Sequence, residues 1–228
     1  MKKTSLVVTS ILVLVISLIL INGCKVENKK NDYLRKVLAN LEQIKSATYY
    51  GYIESYAPGD TSPAFTMHRY YKEYSNPSDS TIGSSFVVLL QKDSTKMYFC
   101  YDGKMRATVN EEDKTMVIDS FKNTTLPFRI VTPPFFNYTK SIIKYALETE
   151  DSISTDIEDF GDSVLFRLVI YNDKQVEFFG KPYYIDNPYS FGDEVSKYNI
   201  WINKSNNLPF RYRREMSYDI NVHTCRNV

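Results

Sequence analysis

The stretch from Lys197 to Tyr218, KYNIWINKSNNLPFRYRREMSY, constrains the fold more than any other part of the chain. Its two halves meet at Ser205-Asn206-Asn207, residues that favour turns. The first half puts Tyr198, Ile200 and Ile202 on one face. The second puts Leu208, Phe210, Tyr212, Met216 and Tyr218 on one face, and Pro209, Arg211, Arg213, Glu215 and Ser217 on the other. Side chains along a strand point alternately to opposite faces, so this period of two predicts a half-buried antiparallel hairpin. One residue interrupts the apolar face: Arg214, between Tyr212 and Met216. A charge there needs a counter-ion, water or a ligand headgroup. Two readings stand. Either Arg214 pairs with a carboxylate or is turned outward by a bulge, or it meets an anionic headgroup at the rim of an aromatic cavity, a role that suits guanidinium. The second reading makes Arg214, Tyr212, Tyr198 and Met216 the candidate ligand-binding residues.

The alternating period recurs along the chain. Strands are expected at Thr48–Tyr56, Phe65–Tyr74, Ser85–Gln91, Lys96–Tyr101, Met105–Asn110 and Thr115–Phe121. More follow at Asp156–Phe160, Val164–Tyr171, Gln175–Phe179 and Tyr183–Ile185. Turn residues separate them, among them Ala57-Pro58-Gly59-Asp60, Asn76-Pro77-Ser78-Asp79 and Asp102-Gly103. Aromatics make up 14% of the chain, with 19 Tyr and 13 Phe, which suits strands and argues against disorder. Tyr49, Tyr50, Tyr52, Tyr70, Tyr71, Tyr183 and Tyr184 either fill sheet faces or line a half-wet cavity.

Two helices interrupt the strands. Asp32 is a cap for the first, which runs to about Lys45 with Leu34, Val37, Leu38, Leu41 and Ile44 at helical spacing. Leu126 to Phe136 holds three prolines among large apolar residues and is expected to bury itself as a loop, a plug or flap over the concave side. Asn137 then caps a second helix, Tyr138 to about Thr149, with Ile142, Ile143 and Ala146 on one face. Large sheets curl to limit exposed edges. The expected class is therefore α+β, mainly β: a strongly bent antiparallel half-barrel of about ten strands with two covering helices. It forms one domain, residues 32–228.

The N-terminus carries an address. Met1-Lys2-Lys3 is a basic start, and Leu6 to Ile21 is an almost unbroken apolar run that ends in Ile21-Asn22-Gly23-Cys24. We read residues 1–23 as a signal peptide, Cys24 as the acylated residue, and 24–31 as a tether, so that the partner is a membrane reached through lipid on Cys24. The alternative is an uncleaved anchor, since the run is long enough to span a bilayer. Cys100 and Cys225 could pair in an oxidising envelope, or stand as a buried thiol and a thiol in the C-terminal tail.

No catalytic constellation is visible. The chain lacks a GxSxG elbow, a P-loop, an HExxH and a CxxC, so no catalytic residue, no metal ligand and no cofactor is assigned. Its histidines, His68 and His223, stand apart from any acid–base partner, and His223 lies in the tail. Asp156, Glu158 and Asp159 read as a solvated edge. The net charge is +1, and losing Lys2 and Lys3 with a leader makes it −1; neither value suits a nucleic-acid partner.

Ile200-Trp201-Ile202-Asn203, a turn and Leu208-Pro209, set within the order helix, meander, helix, meander, resemble the LolA/LolB-like superfamily of envelope lipoprotein and lipid carriers. Tyr101-Asp102-Gly103-Lys104, Leu126-Pro127-Phe128-Arg129, Pro133-Pro134-Phe135-Phe136 and Phe178-Phe179-Gly180-Lys181 resemble the lipidated N-terminal domain that precedes a thioredoxin-like domain in some bacterial envelope proteins. That resemblance spans about residues 24–228. Together they imply a lipid-anchored, periplasm-facing, non-enzymatic protein that binds a lipid, another amphipathic ligand or an envelope partner in a concave apolar face. The alternative they imply is an accessory domain of a redox protein whose catalytic half is absent from a truncated form.

Overall fold

The structure is a computed structural model that describes residues 29–92, 95–120, 131–171, 174–177, 181–184, 195–217 and 219–226. The signal peptide, Cys24, Tyr218 and residues 126–130 of the proline-rich segment lie outside the described residues. Helix α1 occupies residues 29–43. A meander follows: β1 (Ser46–Tyr56), β2 (Phe65–Ser75), β3 (Ser84–Lys92), β4 (Thr95–Tyr101), β5 (Arg106–Asn110) and β6 (Thr115–Asp119). After helix α2 (Phe135–Glu148) come β7 (Ile153–Asp159), β8 (Ser163–Ile170) and a small hairpin of β9 (Lys174–Glu177) and β10 (Lys181–Tyr184). The chain closes with β11 (Ser196–Asn203), β12 (Leu208–Glu215) and β13 (Ile220–Arg226).

Eleven of these strands make one antiparallel sheet in the order β6-β5-β4-β3-β2-β1-β13-β12-β11-β8-β7. Its edges, β6 and β7, do not meet, so the sheet curves without closing. The half-barrel expected from the sequence is present, with one strand the sequence reading missed. Residues 220–226 are not a tail. As β13 they pair with β1 on one side and β12 on the other, and so join the two meanders into one sheet. Asn221, His223 and Thr224 blur the apolar alternation there.

The closing hairpin forms as expected, with a correction at its turn end. Ile200 faces Tyr212 and Tyr198 faces Arg214, but the register shifts between Trp201 and Ile202. Ile202 then lies opposite Pro209, and Phe210 has no partner. The extra residue of a bulge reverses which side chains face the core. Pro209, expected outside, is therefore buried, whereas Phe210 is only half-buried.

Both helices cover the face of the sheet that carries Tyr49, Tyr71, Tyr198, Ile200 and Tyr212. Leu34, Val37 and Leu41 of α1 join this core, as do Phe135, Phe136, Tyr138, Ile142 and Ile143 of α2. Burying each large apolar side chain contributes roughly 1.5–3 kcal/mol, so the helix faces outweigh weak local propensity. Two helix starts differ from expectation. Helix α1 is already formed at residue 29, so Asp32 lies inside it and is not its cap. Helix α2 begins at Phe135 and takes in the end of the proline-rich segment; its N-cap is Pro134, with no side-chain cap bond.

The cap of α2 comes from the sheet. Glu73 of β2 is buried, and its Oε1 accepts the Asn137 N–H at 2.7 Å. Its Oε2 accepts the Phe136 N–H at 3.2 Å and the Tyr49 hydroxyl at 3.0 Å. Tyr49 Oη in turn accepts the Phe135 N–H at 3.0 Å. A helix leaves its first N–H groups without partners, and here one carboxylate and one phenol supply three of them. The Asn137 side chain acts elsewhere. Its Nδ2 donates to the Ile82 carbonyl at 2.8 Å and ties α2 to the β2–β3 loop.

Glu73→Leu strands these donors in the core, so it should lower unfolding stability by ~2–4 kcal/mol in urea. Glu54→Leu, at a half-buried site elsewhere on the sheet, should shift it by well under ~1 kcal/mol.

Candidate functional site

Between the concave face and the start of α2 lies a cleft of two chambers. The first, of about 230 Å³, is walled by Tyr71, Phe86, Val88 and Phe99 of the sheet and by Val131, Pro134 and Phe135 opposite. The second, of about 300 Å³, is walled by Ile53, Phe65, Met67, Tyr138, Tyr212 and Arg214. Arg69, Thr132, Pro133 and His223 border both. Together the chambers fall in the size range of small-molecule sites, which are mostly apolar with a few placed polar groups.

Strand alternation builds this wall. On β2 the residues facing the cleft and core are Phe65, Met67, Arg69, Tyr71 and Glu73, registered against Ser55, Ile53, Gly51, Tyr49 and Ala47 of β1. Tyr49 stacks on Tyr71 with ring centroids 4.9 Å apart. Phe135 packs on Tyr212 at 5.7 Å, and Tyr212 stacks on His223 at 4.5 Å and 15°. Tyr50, Tyr52 and Tyr70 point the other way. They border an outer groove of about 610 Å³ with His68, Leu89 and Arg226, which Arg69 borders as well. The side chains of Tyr183 and Tyr184 lie outside the described part of the structure.

The charges are unevenly compensated. Arg214 Nη2 meets Asp219 Oδ2 at 3.0 Å, while its buried Nε has no partner among the described residues. The carboxylate expected in one reading of Arg214 is thus supplied by Asp219, and Arg214 still lines the second chamber. Arg106 meets Asp119 at 3.4 Å. Arg69 has no such partner among the described residues. Its Nε and Nη2 point at Met67 Sδ, 3.1 and 3.0 Å away, and its Nη1 reaches Tyr71 Oη at 3.4 Å. Burial, then the charges of Arg69 and Arg214, push His223 down to about 3, so it is neutral in the cleft.

Of the residues singled out in the sequence, Tyr212 and Arg214 line the cleft. Tyr198 is fully buried behind them, packed edge-on against Tyr138 at 6.5 Å. Met216 follows β12, its N–H donating to the Asp219 carbonyl, and is not among the lining residues described. Arg69 and Glu73 escaped the sequence reading. Their signal was present, since both interrupt the Phe65-Met67-Tyr71 face in the way Arg214 interrupts its own.

Cys100 and Cys225 are both free, with β3, β2 and β1 between their strands. Burial and then Glu73 push the Cys225 thiol up to about 12, so it is no nucleophile at neutral pH. Among the described residues no group of His, Cys, Asp and Glu is arranged to hold a metal.

No family model matches the sequence, and no curated protein matches it. Solved structures resemble the fold. LprF from Mycobacterium bovis is 11% identical, with a TM-score of 0.46 over 88% of this chain and 92% of that one. Lipoprotein LppX from Mycobacterium tuberculosis is 8% identical, with a TM-score of 0.44 over 86% and 92%. A LolA superfamily protein from Nitrosomonas europaea is 12% identical, with a TM-score of 0.32 over 85% and 91%. At these identities and scores the likeness is one of fold and bears no weight for ligand or role.

Two buried groups of the site set opposite pH dependences. Burial raises Glu73 from 4.5 to about 7, against the pull of its bonds from Asn137, Tyr49 and Phe136. A carboxyl raised in the folded state stabilises below its unfolded value, and that stability is lost as pH rises toward 7, about 3 kcal/mol in all. His223 is lowered, so its contribution is present above about 6.5 and is lost as pH falls. In the wild type the two therefore oppose each other between pH 7 and 4.5. Glu73→Gln should lose stability with acid over that window and His223→Phe should gain it, each followed by urea unfolding.

Proposed function

We propose that the protein is a non-enzymatic carrier of the bacterial cell envelope that holds the apolar part of an amphipathic ligand in its concave cleft. The observation that carries this reading is the cleft itself. Two chambers with apolar and aromatic walls meet at Arg69 and His223, beneath a helix fixed to the sheet by its own N-terminus. A packed core would fill such a space with side chains, since interiors leave few voids larger than a water. Tyr212 and Arg214 form the wall that meets the ligand. Tyr198 backs them, and Met216 flanks them at the end of β12.

In this reading Cys24 is acylated after removal of residues 1–23 and holds the domain at a membrane, facing the periplasm. Support comes from the basic start, the apolar run and the Gly23-Cys24 junction. Among the described residues no helix is long and apolar enough to cross a membrane.

Protein released from its own envelope without detergent, by cleavage in the 24–31 tether, should carry a co-extracted amphiphile detectable by native mass spectrometry. Thr132, exposed and bordering both chambers, is the place to obstruct them. Thr132→Trp should cut binding of a neutral apolar dye by about tenfold, which is ~1.4 kcal/mol. Dye binding unchanged by Thr132→Trp, with no lipid on the wild type, would remove the cleft as the cargo site.

A further inference from the structure

We propose that Arg69 is the counter-ion for the anionic head of an acyl-chain amphiphile, a carboxylate or a phosphate, held where the two chambers meet. This rests on the carrier reading above and names the class of its ligand. The described residues that line the chambers include three arginines, Arg69, Arg106 and Arg214, and no carboxylate. Asp119 and Asp219 stand against Arg106 and Arg214. Arg69 alone of the three has no acid within ion-pairing distance among the described residues.

Its actual neighbours are poor substitutes. A thioether sulfur is a weak acceptor, and a phenol oxygen at 3.4 Å is at the outer limit of a useful hydrogen bond. A half-buried guanidinium with such partners has given up water for little return. A carboxylate or phosphate oxygen would accept two of its N–H groups at once, in the planar fork that suits both anions. Tyr71 Oη, beside Nη1, offers a further donor to the same head.

Position adds a second line of support. Arg69 borders both chambers, so a head bound there leaves apolar walls on either side for hydrocarbon. Towards β3 these are Phe86, Val88 and Phe99; towards β12 and β13 they are Ile53, Met67 and Tyr212. His223, neutral and stacked on Tyr212, adds no second charge at the junction. Among the described residues the cleft therefore combines one cation without an acid partner with hydrocarbon-lined space, which discriminates between heads on the same chain.

The test uses three ligands with one chain and different heads: oleate, oleyl phosphate and oleyl alcohol. Each competes against a neutral apolar dye on the delipidated full-length protein. The wild type should prefer an anionic head over the alcohol by about tenfold or more, a charge-assisted hydrogen bond being the difference. The stronger of the two anions identifies the head class. Arg69→Met should bring the three affinities close together, whereas Arg69→Lys should keep part of the preference because the charge stays and the fork is lost. Rising salt should erode the preference in the wild type, a readout that requires no variant. Equal binding of all three by the wild type, or an unchanged preference in folded Arg69→Met, overturns the role of Arg69 and leaves the carrier reading standing. Failure of all three to displace the dye or bind overturns both.

Discussion

A single buried carboxylate decides whether this sheet has a roof. Glu73 belongs to β2, yet its oxygens take the backbone N–H groups of Phe136 and Asn137 and the hydroxyl of Tyr49. Tyr49 passes the same service to Phe135. Helix α2 has no cap of its own, so its first turn is held by groups from two strands. Anions favour that end of a helix, and burial strengthens the attraction while raising the cost of the charge. The helix is thereby fixed at one end, over the sheet. The cleft opens beside that end, between Pro133-Pro134-Phe135 and the β1–β2 wall.

The rest of the architecture follows from making one face of a large sheet both curved and apolar. Eleven strands with two free edges bend, and a bent sheet has an inside. Helix α1 and most of α2 fill that inside with Leu34, Val37, Ile142 and Ile143. Near β2, β12 and β13 the filling stops and aromatic side chains line space instead. There Arg69 of β2, Arg214 of β12 and His223 of β13 gather, brought within reach because β13 joins the two meanders through β1.

Much of this was legible in the residues. Period-two alternation gave the strands, turn residues gave their limits, and Leu34-Val37-Leu41 gave a helix that covers a sheet. What escaped was what depends on distant partners. Glu73 meets Asn137 across 64 residues and Tyr49 meets Phe135 across 86, so no local pattern announces a cap supplied from elsewhere. Asn137 looked like the cap because asparagine often is one; tertiary packing gave it to Ile82. The strand at 220–226 was hidden because its buried positions, Val222 and Cys225, do not alternate. Arg214 drew attention as a break in an apolar face. Arg69 breaks the β2 face in the same way but sits among His68, Tyr70, Tyr71 and Lys72, which disguise it.

In the proposed carrier, cargo sits inside the curve and not on its outer face. The outer groove bordered by Tyr50, Tyr52, Tyr70 and Arg226 is the obvious competitor, larger and also aromatic. A crystal structure with oleate bound decides between them. Hydrocarbon density is expected between β2 and the start of α2, with the head within hydrogen-bond reach of Arg69. Density confined to the outer groove, with the inner chambers empty, would contradict it.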